Sequence, residues 1–98
     1  MVIMRFKVRV RPENAEEVRA ALEAVIEPSR ALDGVVRLDI ARCLEDPDSF
    51  IATEVYDDEA ALERQESLPE VEAALSLIRE SVVEREATLY HVSMPPEP

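Results

Sequence analysis

Glu54 and Tyr56 stand two residues apart in the stretch FIATEVY. A strand turns alternate side chains to opposite faces, so the carboxylate and the phenol share a face with Phe50 and Ala52. On an apolar face a carboxylate is desolvated, its neutral form is favoured and its anion becomes a better base. A phenol beside it can donate to a developing oxyanion or stack on an aromatic ring. His91 is the single histidine, a residue type suited to a proton shuttle. Gln65, in the acidic segment DDEAALERQE, can donate and accept hydrogen bonds but cannot exchange a proton. These types predict a pocket on the helix side of a sheet, with Glu54, Tyr56 and His91 as its chemical groups and Phe6, Leu62 and Gln65 as its walls. Each has a plainer reading. Glu54 is then a buried carboxylate satisfied by an arginine or by backbone donors, Tyr56 a rim aromatic, and His91 an ordinary strand residue.

The elements that must position these residues follow from periodicity. VIMRFKVRV alternates strictly, with Val2, Met4, Phe6, Val8 and Val10 on one face and Ile3, Arg5, Lys7 and Arg9 on the other, which predicts a strand. Met4 and Phe6 then belong to the core or the pocket wall. Val18, Leu22, Val25 and Ser29 fall at helical spacing in the next segment. Asn14 and Glu17 have the spacing of a capping box, and Pro28 is expected to kink or end the helix. Gly34, the only glycine, is placed for a left-handed turn into the next strand. VVRLDIARCL is a second strand with Val36, Leu38 and Ile40 on one face, EDPDS a turn, and FIATEVY a third strand. Acidic residues then open a helix at its positive end. SLPEVEAALSLIRESVV restarts helix with Val71, Leu75, Ile78 and Val82 inward, and EREATLYHVSM is a fourth strand. The order βαββαβ predicts an α+β, ferredoxin-like domain over residues 1–93, with an antiparallel sheet in the order 4-1-3-2. Residues 94–98 are expected to form an extended tail.

At 98 residues the chain is long enough for one modest core. Its 22 Asp and Glu against 11 Lys and Arg give a formal charge of -11, which repels nucleic acid and anionic membrane surfaces. No apolar run is long enough to span a bilayer, and the alternating start does not resemble a signal peptide. The single cysteine, Cys43, excludes an internal disulfide framework, and a cytoplasmic location is expected. One histidine and scattered carboxylates make no recognisable metal-ligand set.

A sheet covered by helices on one face leaves the other bare. That bare face carries Ile3, Ile51, Thr53 and Val55 among charged residues. Two such faces packed together would close a barrel across a homodimer, with Arg5, Lys7 and Arg9 pairing with acids across it.

The stretch EPSRALDGVVRLDIARCLEDPDSFIATEVYDDEAALERQESLPEV, within a match running from Val2 to Val92, resembles the antibiotic biosynthesis monooxygenase domain family of the dimeric α+β barrel group. Gly34, Asp46-Pro47, Phe50, Glu54, Tyr56, Asp57-Asp58, Ala61-Leu62 and Pro69 stand at places that match its pattern. The resemblance implies a pocket between sheet and helices, lined by a strand-end Trp, a helix His and often an Asn of the first strand. It implies activities ranging from cofactor-independent oxygenation of aromatic polyketides and quinols to haem degradation. This chain has Tyr56 for the Trp, Gln65 for the His and Glu70 for a second His, while Asn14 reads as a helix cap. Gln65 is a poor axial ligand, which argues against haem. The expectation is therefore a monooxygenase needing no cofactor, acting on a small aromatic, quinol or anthrone-like substrate. Two other readings stay open. One is a non-catalytic dimeric module that binds a small apolar ligand. The other is a dimeric barrel that serves another protein as a partner.

Overall fold

The alternation of VIMRFKVRV is realised as β1, Val2–Val10, in the computed structural model, which describes residues 1–93. The expected tail, 94–98, lies outside the described residues. After a 3-10 turn at Pro12–Asn14 come α1 (Ala15–Arg30), β2 (Val35–Arg42), β3 (Ser49–Tyr56), α2 (Glu59–Glu66), α3 (Pro69–Ser81) and β4 (Val82–His91). The sheet order is β2-β3-β1-β4 with every pair antiparallel, which is the expected 4-1-3-2 order read from its other edge.

The helices cover the β1 face that carries Val2, Met4, Phe6, Val8 and Val10. Val8, Val10, Phe50, Val18, Leu22, Val25, Val71, Ala74 and Ile78 form the main core. Removing a side chain such as Ile78 from water contributes roughly 1.5–3 kcal/mol. A smaller cluster of Val2, Tyr56, Ala61 and Leu62 closes the end of the sheet where β3 stops.

Four local expectations are corrected. Asn14 makes no side-chain cap; its Oδ1 accepts from Arg11 Nε at 3.2 Å instead, and the 3-10 turn occupies the helix start. Pro28 does not end α1, which runs on to Arg30. Val36 does not share the face of Leu38, because the register slips between Val35 and Arg37 and leaves Val36 54% exposed. Val82 and Val83 leave the helix, since α3 ends at Ser81 and these β-branched residues open β4. On the open face, Arg9 pairs with Glu84 at 3.0 Å and Arg5 lies 3.9 Å from Glu86, so these cations meet acids of their own chain on β4.

Gly34 fixes how α2 docks. Its φ is +87°, its carbonyl accepts from Asp57 N at 2.8 Å, and a Cβ there would meet the Ala61 Cβ at 2.7 Å. Both the left-handed backbone and the close approach exclude a side chain. Gly34→Ala is expected to cost about 2 kcal/mol in equilibrium urea unfolding. A loss under about 0.5 kcal/mol would show that α2 does not depend on this approach.

Candidate functional site

Glu54 lies on the covered face of β3, between Met4 of β1 and Leu38 of β2 in the register. It is only 9% exposed. An ionised carboxylate at such a position costs several kcal/mol unless it is compensated. The compensation is neither an arginine nor a backbone donor. It is Tyr56, whose hydroxyl donates to Glu54 Oε1 at 2.5 Å. Burial raises the proton affinity of Glu54; the Tyr56 hydrogen bond opposes that shift and the negative charge of Glu66 adds to it. Burial, then the neighbouring Glu54 charge, also pushes the Tyr56 phenol far above its ordinary range, so it remains a neutral donor.

Beside Glu54 is an apolar cavity of about 80 Å³ between the sheet and the three helices. Phe6 and Leu38 form part of its floor, Leu22 of α1 and Leu75 and Ile78 of α3 its walls, and Leu62, Gln65 and Glu66 of α2 one end. α2 is started by Asp58, whose Oδ1 accepts from Ala61 N at 2.9 Å. Gln65 is 3% exposed and donates from Nε2 to Ser29 Oγ of α1 at 3.2 Å. A serine at an apolar helical position is thus the anchor of the one amide in the cavity.

Glu54, Phe6, Leu62 and Gln65 come together as expected. Tyr56 and His91 do not join them. Tyr56 is wholly buried behind Glu54, packed with Val2, Ala61 and Leu62, and is not part of the cavity lining. The strand ends under α2, so the phenol expected among the pocket's chemical groups is sealed into a second small core, and it is not a rim aromatic either. His91 is opposite Val2 at the far end of the edge strand β4, with its side chain 62% exposed and Nε2 3.3 Å from the Glu59 carboxylate. It faces a shallow surface groove with Asp57 and Asp58, away from the cavity. No group of three or more His, Cys, Asp or Glu able to hold a metal ion is found among the described residues. Among the same residues no helix is long and apolar enough to cross a membrane.

One charged cavity residue escaped the sequence reading. Glu66 is the last residue of α2 and is exposed at the cavity. Apolar periodicity cannot find such a residue. The available signal is electrostatic: a carboxylate at the negative end of a helix dipole, where it is disfavoured.

Known proteins agree with this architecture. The family model described as antibiotic biosynthesis monooxygenase matches residues 1–77. The protein named Putative monooxygenase YcnE of Bacillus subtilis (strain 168) is 27% identical over 62 residues, a stretch that is 63% of this chain and 65% of that relative. The match therefore spans just under two thirds of that relative's length. Two solved structures, each named a putative antibiotic biosynthesis monooxygenase, share the fold. The one from Nitrosomonas europaea superposes with a TM-score of 0.85 at 19% identity, covering 94% of this chain and 98% of its own. The one from Deinococcus radiodurans superposes with a TM-score of 0.83 at 24% identity, covering 100% and 98%. With its βαββαβ sheet, its helix-covered cavity and a family match over most of its length, the chain belongs to the antibiotic biosynthesis monooxygenase family.

Proposed function

We propose that the protein is a cofactor-independent monooxygenase of a small aromatic substrate of the quinol or anthrone type, working as a homodimer joined through its open sheet face. The observation that carries the reading is Glu54: one carboxylate oxygen held by Tyr56, the side chain nearly buried, and an apolar cavity alongside. In this reaction the substrate is its own reductant. Glu54 takes the proton of a hydroxyl or of an acidic methylene, and the resulting enolate or phenolate reduces O2 at carbon. For an anthrone the methylene loses two hydrogens and gains one oxygen as a carbonyl, and the second oxygen leaves as water. Tyr56 acts through Glu54, keeping it oriented, and is a positioning residue. Gln65 orients the substrate hydroxyl, and Phe6 and Leu62 pack against the ring.

A non-catalytic ligand-binding module is the second reading. It is favoured by Gln65, which cannot carry a proton, and by His91 lying outside the cavity. At about 80 Å³ the cavity is also smaller than the roughly 300–1,000 Å³ usual for ligand pockets, so a full-sized substrate must widen it.

Glu54→Gln separates the two. Oxygen uptake with a quinol or anthrone is expected to fall by about a hundredfold or more, with ligand binding retained. Uptake that is absent from the parent while ligand binds would leave the binding module.

Stability gives a second check. Folded Glu54 holds its proton to higher pH than the unfolded chain does, from an ordinary value of 4.5. Its stabilising contribution is therefore present in full below that value and is lost as pH rises through the raised one. Glu54→Gln lacks this titration, so its melting temperature is expected to gain on the parent as pH rises from the ordinary value of 4.5 through the raised one. A variant that instead loses melting temperature relative to the parent as pH rises would mean that Glu54 is held as an anion.

For assembly, sedimentation at micromolar concentration is expected to give twice the 11.0 kDa chain mass. Val55→Asp, on the open face of the inner strand β3, is expected to shift it toward the monomer. A monomeric parent would remove the dimer.

A further inference from the structure

The cavity is one-sided in charge. Its charged lining residues are Glu54 and Glu66, and no Lys, Arg or His lines it. The only hydrogen-bonding partner of Glu54 is neutral, and Glu66 makes no ion pair among the described residues. Glu66 also stands at the C-terminal end of α2, where the helix dipole disfavours an anion. Neither helix stability nor a salt bridge accounts for a carboxylate in that place.

The inner polar groups that remain free are two acceptors and one amide N–H. Tyr56 occupies Glu54 Oε1 and leaves Oε2. Gln65 donates one Nε2 hydrogen to Ser29 and leaves the other, together with Oε1. Both side chains are at least nine-tenths buried. Among the described residues no fully enclosed side-chain oxygen lacks a partner, so these two oxygens are not sealed off, and both residues line the cavity. Two inner acceptors, one amide N–H and an outer anion around an apolar space define a complementary ligand: an aromatic body, a hydroxyl that both donates and accepts at its inner end, and a cation at its outer end.

We propose that the cavity selects aromatic hydroxyl compounds that carry a basic amine, the hydroxyl meeting Glu54 and Gln65 and the ammonium pairing with Glu66 at the mouth. This rests on the reading of the cavity as the substrate site and adds the substrate class. Carboxylated and phosphorylated aromatics are rejected by the Glu66 charge at the mouth, since a like charge brought beside a low-dielectric site is opposed more strongly than in water. The formal charge of -11 over the whole chain adds to this at long range.

The test is binding, read by titration calorimetry with three matched probes at neutral pH. These are tyramine, 4-ethylphenol and 3-(4-hydroxyphenyl)propanoate, which carry a cation, no charge and an anion on a common phenol. Tyramine is expected to bind roughly fivefold tighter than 4-ethylphenol, as for a single partly exposed ion pair, and the propanoate weakest. Raising the salt should shrink that order toward equality. Glu66→Gln should abolish the amine preference. Glu63→Gln removes the same charge from an exposed position of α2 outside the lining and should preserve the preference. Equal binding of amine and acid, an amine preference that survives Glu66→Gln, or no binding of any probe overturns the proposal. Because oxygen is not consumed in this assay, the two readings fail separately. An amine preference without oxygen uptake keeps the selectivity and removes the oxygenase. Oxygen uptake on a neutral quinol without an amine preference does the reverse.

Discussion

The desolvation of Glu54 is the constraint around which the covered face is built. The residue sits between Met4 and Leu38 on the covered face of β3, whose other residues on that face are Phe50, Ala52 and Tyr56. A carboxylate is tolerated there because a phenol two residues along the same strand reaches back to one of its oxygens. The other oxygen is left to the cavity. An apolar residue of similar volume would relieve the desolvation cost and improve packing. The arrangement therefore spends stability on keeping a titratable oxygen next to an apolar space.

The packing on either side follows from that choice. The main core gathers α1, α3 and the middle of the sheet, while Val2, Tyr56, Ala61 and Leu62 form a separate cluster at the sheet's end. Leu38, Glu54 and Gln65 are buried but belong to neither cluster. The cavity draws its walls from both clusters, so it is the seam where they fail to merge. A polar pair at such a seam needs partners outside the apolar groups. Tyr56 supplies one and Ser29 the other, each from within its own side of the fold.

Much of this was legible in the residues. Strand periodicity put Glu54 on the face of Phe50 and Ala52, and helical spacing put Ser29 in line with Val18, Leu22 and Val25. The pattern of elements led to the right sheet order. What escaped depends on three-dimensional cover. Whether Tyr56 is rim or core is decided by where α2 crosses the strand end, and periodicity carries no information on that. His91 had the right face of β4 but the wrong strand: β4 is an edge that the helices leave open, and nearly all of it is exposed. The slip at Val36 is a register event, invisible to a count of alternation. Glu66 was missed because sequence patterns mark apolar faces, and its significance lies in being charged beside one.

The weakest part of the site is also the part that shapes it. α2 is eight residues long and buries only Ala61, Leu62 and Gln65, whereas α1 buries Val18, Leu22 and Val25 along sixteen residues. An isolated helix of that length is not stable in water. α2 is held by the Asp58 cap, by the close approach of Gly34 to Ala61, by Arg64 donating to Asp33 O at 3.0 Å and by the Gln65–Ser29 bond. Each is a local tie, and none is backed by the main core. Since α2 also carries Leu62, Gln65 and Glu66, widening the cavity for a planar ring costs least by shifting α2, because moving α1 or α3 would open the principal core. The same shift carries Glu66 outward with the mouth and leaves Glu54 fixed on the sheet. The inner acid is thus held rigid where proton transfer needs precise geometry, and the outer acid rides on the element that must yield.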